Sequence, residues 1–148
     1  MDNLKIFCMC LDNDYLRIVK KLNYIPVGLK NTNFSKEWLL DNTLDNISQK
    51  NPYYGEYTFY YWYWKNLLKK KQKNEWVGFC SYRELWGEHK DINDRNSIHS
   101  LLKYLPKEWE NYEVIIGQPT ILKRPKWIKL IKHGKIAMIR NYKEIFKS

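Results

Sequence analysis

Glu56 is the lone acid in the run KNPYYGEYTFYYWYWKN, Lys50 to Asn66, where tyrosines, tryptophans and a phenylalanine otherwise dominate. A carboxylate in such surroundings loses hydration unless it is paired or hydrogen-bonded, and glutamate is rarely buried without a partner. Tyrosine hydroxyls, a basic side chain such as Arg83, or the hydroxyls of a ligand could supply that partner. Helix periodicity alone favours a structural hydrogen bond to a tyrosine. Just upstream, LDNISQKNP (Leu44 to Pro52) is rich in Asp, Asn, Ser and Lys. Free N–H groups at a helix start, with Lys50 beside them, suit a phosphate. The same residues equally suit an ordinary capping loop.

These groups need elements to hold them. LKIFCMCL, Leu4 to Leu11, reads as an apolar strand that ends in the turn-forming DND of Asp12 to Asp14, and a short helix follows through Lys21. YIPVGL, Tyr24 to Leu29, reads as a second strand, with Pro26 arguing for an edge position. Pro52 suits the first turn of a helix that runs through the aromatic block to the lysines after Leu68, cations that complement its negative end. On that helix Tyr57, Tyr60, Tyr61 and Trp64 share one face, and Glu56, Phe59, Tyr63 and Asn66 lie along another. With aromatics on both faces, burial on most sides is expected. EWVGFCSY, Glu75 to Tyr82, is a further buried strand; Ser97 to Leu105 is helix-like; Tyr112 to Gly117 is strand-like; and a basic segment with helical spacing runs from Leu122.

Strand, helix, strand, helix, strand predicts an α/β domain with a mostly parallel sheet. Ligands in such sheets bind beyond the carboxyl ends of the strands, which directs attention to the residues after Cys10, Val27 and Cys80. The 148 residues suit one domain with a real core. Lys and Arg number 26 against 16 Asp and Glu, a net charge of +10 that attracts nucleic acid, anionic lipid or a phosphorylated small molecule. The aromatic share of 16% argues against disorder. Cys8, Cys10 and Cys80 are odd in number and lack a C-x-x-C pair, which points away from a disulfide framework or zinc site and towards a reducing cytosol. Cys8 and Cys10 share a strand face and read as small core residues. His89, His99 and His133 are scattered without ligand spacing.

Two blocks carry a resemblance. DNISQKNPYYGEYTFYYWYWKN followed by WVGFCSYRELW resembles a family of bacterial glycosyltransferases of capsular and exopolysaccharide synthesis. Its pattern runs roughly D-N-I-S-x-K-N-x-x-Y-x-E-L-T-x-x-Y-W-x-W-K-N, then Y-I-G-L-C-H-Y-R-R-Y-F. The first block matches at Asp45, Asn46, Ile47, Ser48, Lys50, Asn51, Tyr54, Glu56, Thr58, Tyr61, Trp62, Trp64, Lys65 and Asn66. The second matches at Gly78, Cys80, Tyr82 and Arg83, and YEVIIGQP, Tyr112 to Pro119, is similar to a later family strand. Ser81 stands where the family has histidine, Glu84 where it has a second arginine, and Gly55 where it often has cysteine.

The resemblance implies the Rossmann-like, A-type glycosyltransferase fold, a mostly parallel sheet flanked by helices in a single domain over 1–148, shortened in its acceptor-side C-terminal half. It implies a nucleotide-diphosphate-sugar donor and a polysaccharide or lipid-linked acceptor. Glu56 and Arg83 become the candidate catalytic pair. Asp45, Asn46, Ser48, Lys50, Asn51, Tyr54, Trp62, Lys65 and Tyr82 become candidate substrate-binding residues. Many such enzymes hold a divalent metal with an Asp-x-Asp motif; here Ser81-Tyr82-Arg83 occupies the place, so the cofactor stays undefined. Arg83, with Lys50 or Lys65, would neutralise the diphosphate. Asp12 to Asp14 and Asp91 to Asp94 offer oxygen ligands but read better as solvated turns. The location implied is cytoplasmic, or peripheral at the inner face of the membrane, where the basic C-terminal segment could lie on anionic lipid; its residues better suit packing the apolar face on the sheet with the lysines in water. Two other functions fit the residues: a basic aromatic nucleic-acid module, disfavoured by the burial expected of its aromatics, and an inactive shortened transferase serving as a partner subunit.

Overall fold

The computed structural model describes residues 4–30, 33–70, 74–87 and 101–117. The chain divides into two compact units, Met1–Ile115 and Ile116–Ser148, and the elements described here lie in the first. Its sheet has four strands, β1 (Leu4–Cys10), β2 (Ile25–Gly28), β3 (Leu39–Leu40) and β4 (Trp76–Ser81), in the order β3-β2-β1-β4. Every pairing is parallel. Helix α1 (Leu16–Lys21) connects β1 to β2, and α2 (Asn51–Tyr54) and α3 (Tyr57–Asn66) stand between β3 and β4. The fold is therefore α/β and Rossmann-like.

The strict alternation of β1 builds two cores. Ile6, Cys8 and Cys10 join Val19 and Leu22 of the α1 region, Tyr24, Trp38 and Cys80 in one cluster. Phe7 and Met9 join Val27, Leu29 and the α3 residues Phe59, Trp62 and Tyr63 in the other. Phe7 lies at the centre of the second, its ring 5.5 Å from Phe59, 5.3 Å from Tyr63 and 5.8 Å from Phe79. A strand buried on both faces reads as a continuous apolar run, which LKIFCMC is apart from Lys5. Lys5 forms an ion pair with Glu75. Cys8 and Cys10 are fully buried core thiols, as expected.

Five expectations are corrected. β2 is interior in the strand order, although Pro26 pointed to an edge. The reason is the shortness of β3, which pairs only with Val27 and Gly28; at the level of Pro26 the outer side of β2 is an edge after all. The aromatic helix is two helices, broken at Gly55, whose φ of 56° and ψ of −128° lie where residues with a Cβ are strained. Only one side of α3 is buried: Thr58, Phe59, Trp62 and Tyr63 face inward, while Tyr57 and Trp64 are 69% and 53% exposed. Finally, residues 101–105 are not helical, and Tyr112 to Gly117 form no strand, with Tyr112, Val114 and Ile116 exposed. Leu101 instead bridges Gly87, Leu102 N–H bonds the Trp86 carbonyl, and the Trp86 indole donates to the Phe79 carbonyl. Side-chain and loop contacts thus occupy this side of β4. The rest of the helix expected at Ser97, and the basic segment from Leu122, lie outside the described residues.

A buried polar network holds the corner between α2 and α3. The Thr58 hydroxyl lies 2.6 Å from Asp41 Oδ2 and 3.0 Å from the Gly55 carbonyl, and Asn51 Nδ2 donates to that carbonyl and to Thr58 Oγ1. Asp41, Asn51 and Thr58 are all buried. Asp41 immediately follows β3, and its N–H bonds the Gly28 carbonyl, so the network ties the corner to the sheet. Burial raises the Asp41 carboxyl above the ordinary carboxylate range, against the hydrogen bonds from Thr58 and the backbone.

Two outcomes follow from the corner. No atom lies within 4 Å of where a Gly55 Cβ would sit, so Gly55→Ala strains only the backbone; urea unfolding should show a loss of about 1–3 kcal/mol, and an unchanged midpoint would contradict the left-handed geometry. A carboxyl whose folded pKa is raised favours folding most at low pH and loses that contribution as pH rises through the folded value. Asp41→Asn should therefore gain stability relative to the parent as pH rises from about 4 towards neutrality. Parallel stability curves across that range would count against a raised Asp41.

Candidate functional site

Because every strand of this sheet runs in the same direction, their carboxyl ends, and the loops that follow them, lie at one edge. The chain leaves β1 towards β2 and later returns across it to β4, so β1 and β4 flank the point where the winding reverses. Ligands of open α/β sheets bind in the crevice at that point. Backbone bonds continue the ladder past the strands: Tyr82 N–H to the Met9 carbonyl at 3.1 Å, and Leu29 N–H to the Cys10 carbonyl at 3.0 Å. The residues after Cys10 and after Cys80 are thereby brought to one edge.

That edge carries a cluster of rings and charges. After β1, Asp12 caps a turn by accepting from Asp14 N–H at 3.0 Å, and the turn delivers Tyr15. The Tyr15 ring packs on Tyr82, centroids 4.3 Å apart. Arg83 Nε donates to the Tyr82 hydroxyl at 2.8 Å and its guanidinium stands 5.0 Å from the Tyr82 ring centre. This bond uses Nε and leaves the paired Nη groups, the fork that grips phosphate or carboxylate, outside it. Glu56, at the N-terminal end of α3, is exposed yet close enough to act on the same residues.

The electrostatics join the cluster together. Desolvation by surrounding protein raises the Glu56 carboxyl above its ordinary range; Glu84 adds to the rise and Arg83 opposes it. Arg83 is held more firmly protonated, first by its hydrogen bond to Tyr82, with Glu56 contributing. The Tyr15 hydroxyl is raised by desolvation and by Tyr82, Asp12 and Asp14, against Arg83. The thiol of Cys8, beneath the edge, is lowered by its contact with Cys10, but the bond with Cys80, burial, and the charges of Cys80 and Glu56 raise it further. It is a core residue and no nucleophile. A carboxyl and a cation with shifted protonation at a switch point mark a candidate site.

The structure separates the sequence-predicted residues into two groups. Tyr82 and Arg83 come together, Tyr15 with Asp12 joins them, and Glu56 reaches Arg83 through its charge. Sequence reasoning missed Tyr15, although it had marked the stretch after Cys10 as a place to look. The remaining residues build the loop before α3. The Asn46 carboxamide oxygen accepts from Ser48 N–H and Oγ, closing a turn. Asp45 accepts from the Tyr61 hydroxyl through Oδ1 and from Asn66 Nδ2 through its carbonyl. Trp62 is buried, stacked on Phe59, with its indole N–H on the Thr43 carbonyl at 2.8 Å. Asn51 is committed to the Asp41 network. Lys50 and Tyr54 are exposed on this loop and on α2. Lys65 stands over the Trp64 ring, 4.2 Å from its centre, and the charges acting on Arg83 come from Tyr82, Tyr15 and Glu56 and from neither lysine.

A cavity of about 630 Å³ lies between the amino-terminal half of β1, β4 and residues 102–115. Its walls include Leu4, Ile6, Trp76, Trp86 and Trp109, and none of the candidate residues. Among the described residues no three His, Cys, Asp or Glu side chains are grouped to hold a metal ion. No described helix is long and apolar enough to cross a membrane. Asp91 to Asp94 and the three histidines lie outside the described residues.

No curated protein and no solved structure matches the chain. One family does, from residue 5 to residue 147, so the sheet, the aromatic corner and the Arg83 edge all fall within its span. The chain belongs to the family described as domain of unknown function DUF4422.

Proposed function

We propose that the protein is a glycosyltransferase that moves a sugar from a nucleotide-diphosphate sugar to a polysaccharide or lipid-linked acceptor in surface-polysaccharide assembly. One observation carries the reading. Arg83, braced by Tyr82 and Tyr15, stands at the switch point of a parallel sheet with Glu56 in electrostatic reach. Glu56, Tyr82 and Arg83 come from the two blocks that resemble capsular glycosyltransferases, and the family itself is associated with glycosyltransferase-like proteins.

The chemistry asks for two charges of opposite sign. An acceptor hydroxyl attacks the anomeric carbon; the bond from that carbon to the donor's phosphate oxygen breaks; and the nucleoside diphosphate departs with the bonding pair. Arg83 meets the charge that grows on the leaving diphosphate, the kind of fixed electrostatic stabilisation that contributes most to catalysis. Glu56 accepts the acceptor's proton. A carboxylate whose pKa is raised towards the working pH is a better base than one at its ordinary value. Tyr15 and Tyr82 give the edge an aromatic wall on which a base or sugar ring can lie.

Thermal shift against a panel of nucleotide sugars, with donor hydrolysis measured in parallel, tests this. Arg83→Ala should abolish the donor-induced shift. Glu56→Gln should keep the shift and lower turnover by about 10²- to 10⁴-fold. Binding without turnover in the parent would instead favour the inactive partner-subunit reading, and a panel with neither response would contradict both. The acid limb of the rate profile gives a signed check. The limb follows protonation of Glu56, so Glu84→Gln, which removes a charge that raises Glu56, should move it to lower pH. A shift in the other direction, or none, would remove Glu56 as the base.

A further inference from the structure

The outward side of α3 is unusual for a helix on a parallel sheet. Tyr57, Tyr61 and Trp64 recur at i, i+4 and i+7, which places them along one stripe of α3, and Leu68 opens the 3-10 turn Leu68–Lys70 just beyond the helix end. Tyr57, Trp64 and Leu68 are exposed, and so is Leu44 on the loop that Asp45 ties to the helix. The lysines beside the stripe are Lys65, Lys69 and Lys70, all exposed. No acidic residue occurs between Glu56 and Glu75. The nearest acid on the loop, Asp45, is engaged by the Tyr61 hydroxyl.

We propose that this stripe is a docking surface for an anionic lipid bilayer, with Tyr57, Trp64 and Leu68 entering the headgroup region and Lys65, Lys69 and Lys70 contacting lipid phosphates. Amphipathic aromatic rings beside lysines are the residue types that settle at a membrane interface. Scattered exposed apolar side chains need no explanation, but a contiguous helical stripe does. The charge on its flank matches an anionic surface, to which each lysine near the membrane adds affinity. A stacking platform for single-stranded nucleic acid fits less well. The Lys65 ammonium covers the Trp64 face, and the neighbouring rings meet edge to face, at 89° for Tyr57 with Tyr60 and 81° for Tyr61 with Trp64. Bases need open parallel faces, whereas an interface needs only amphipathic rings in a row. The proposal does not depend on the transferase reading, since it concerns a surface built by α3 and Leu44 and not the Arg83 edge.

Co-sedimentation of the full chain with phosphatidylcholine vesicles, with and without phosphatidylglycerol, tests it. Binding is expected only when the anionic lipid is present, and added salt should weaken it. The triple substitution Lys65→Gln, Lys69→Gln, Lys70→Gln should weaken that binding about 100-fold, and the arginine triple should retain it. Trp64→Ser alone, at an exposed position, should weaken it several-fold with an unchanged circular dichroism spectrum. Equal binding to both vesicle types, or undiminished binding by the glutamine triple, would overturn the proposal. So would capture of a single-stranded oligonucleotide through the same lysines without vesicle binding.

Discussion

The double burial of β1 is the constraint on which the rest depends. One face of the strand gives Ile6, Cys8 and Cys10 to the α1 side, and the other gives Phe7 and Met9 to the α3 side. Neighbouring strands pair with it on both edges, β2 over Phe7 to Cys10 and β4 over Leu4 to Met9. A shift of register by one residue would exchange the two faces and destroy both clusters together. The strand is therefore fixed in position, and its carboxyl end is fixed with it. The Asp12 turn, Tyr15 and the Tyr82 N–H bond all hang from that end.

The aromatic block has three physical duties that sequence alone merged into one. Phe59, Trp62 and Tyr63 fill the core under Phe7. Trp62, Tyr61 and Asn66 hold the loop through Thr43 and Asp45. Tyr57 and Trp64 face outward. Glu56 belongs to none of these. The break at Gly55 starts α3 afresh and leaves Glu56 at its first turn, where it is exposed on the side of Arg83 and Glu84. Its departure from the packed rings puts its carboxyl within the influence of Glu84 and Arg83. The Asp41 network provides the mechanical support, since it fixes the Gly55 carbonyl from two sides.

Much of the fold was legible because parallel strands announce themselves as apolar runs. LKIFCMC, the strand at Pro26 and WVGFCS were read within a residue or two, and so was the parallel α/β order. The two-residue β3 carried no period to detect. Gly55 lay inside a run that reads as helix on both sides, and only its positive φ shows the break. Asp41 opens the polar stretch DNTLDN and resembles a solvated turn residue; burial arises from the long-range approach of Thr58, which no local pattern records. In the site, Arg83 and Tyr82 were legible because they follow a strand, and Glu56 because it was chemically out of place. Asn51 and Trp62 were legible as matches, while their hydrogen bonds show roles in holding the corner and the loop.

The central claim is that a nucleotide diphosphate binds where β1 and β4 end. A crystal structure of the protein soaked with uridine diphosphate tests it most directly. The account predicts density for the diphosphate against the Arg83 guanidinium, with Tyr82 and Tyr15 beside the ligand. Density in the cavity between Trp76, Trp86 and Trp109, or against the Asn46 to Lys50 loop with Arg83 uninvolved, would contradict it.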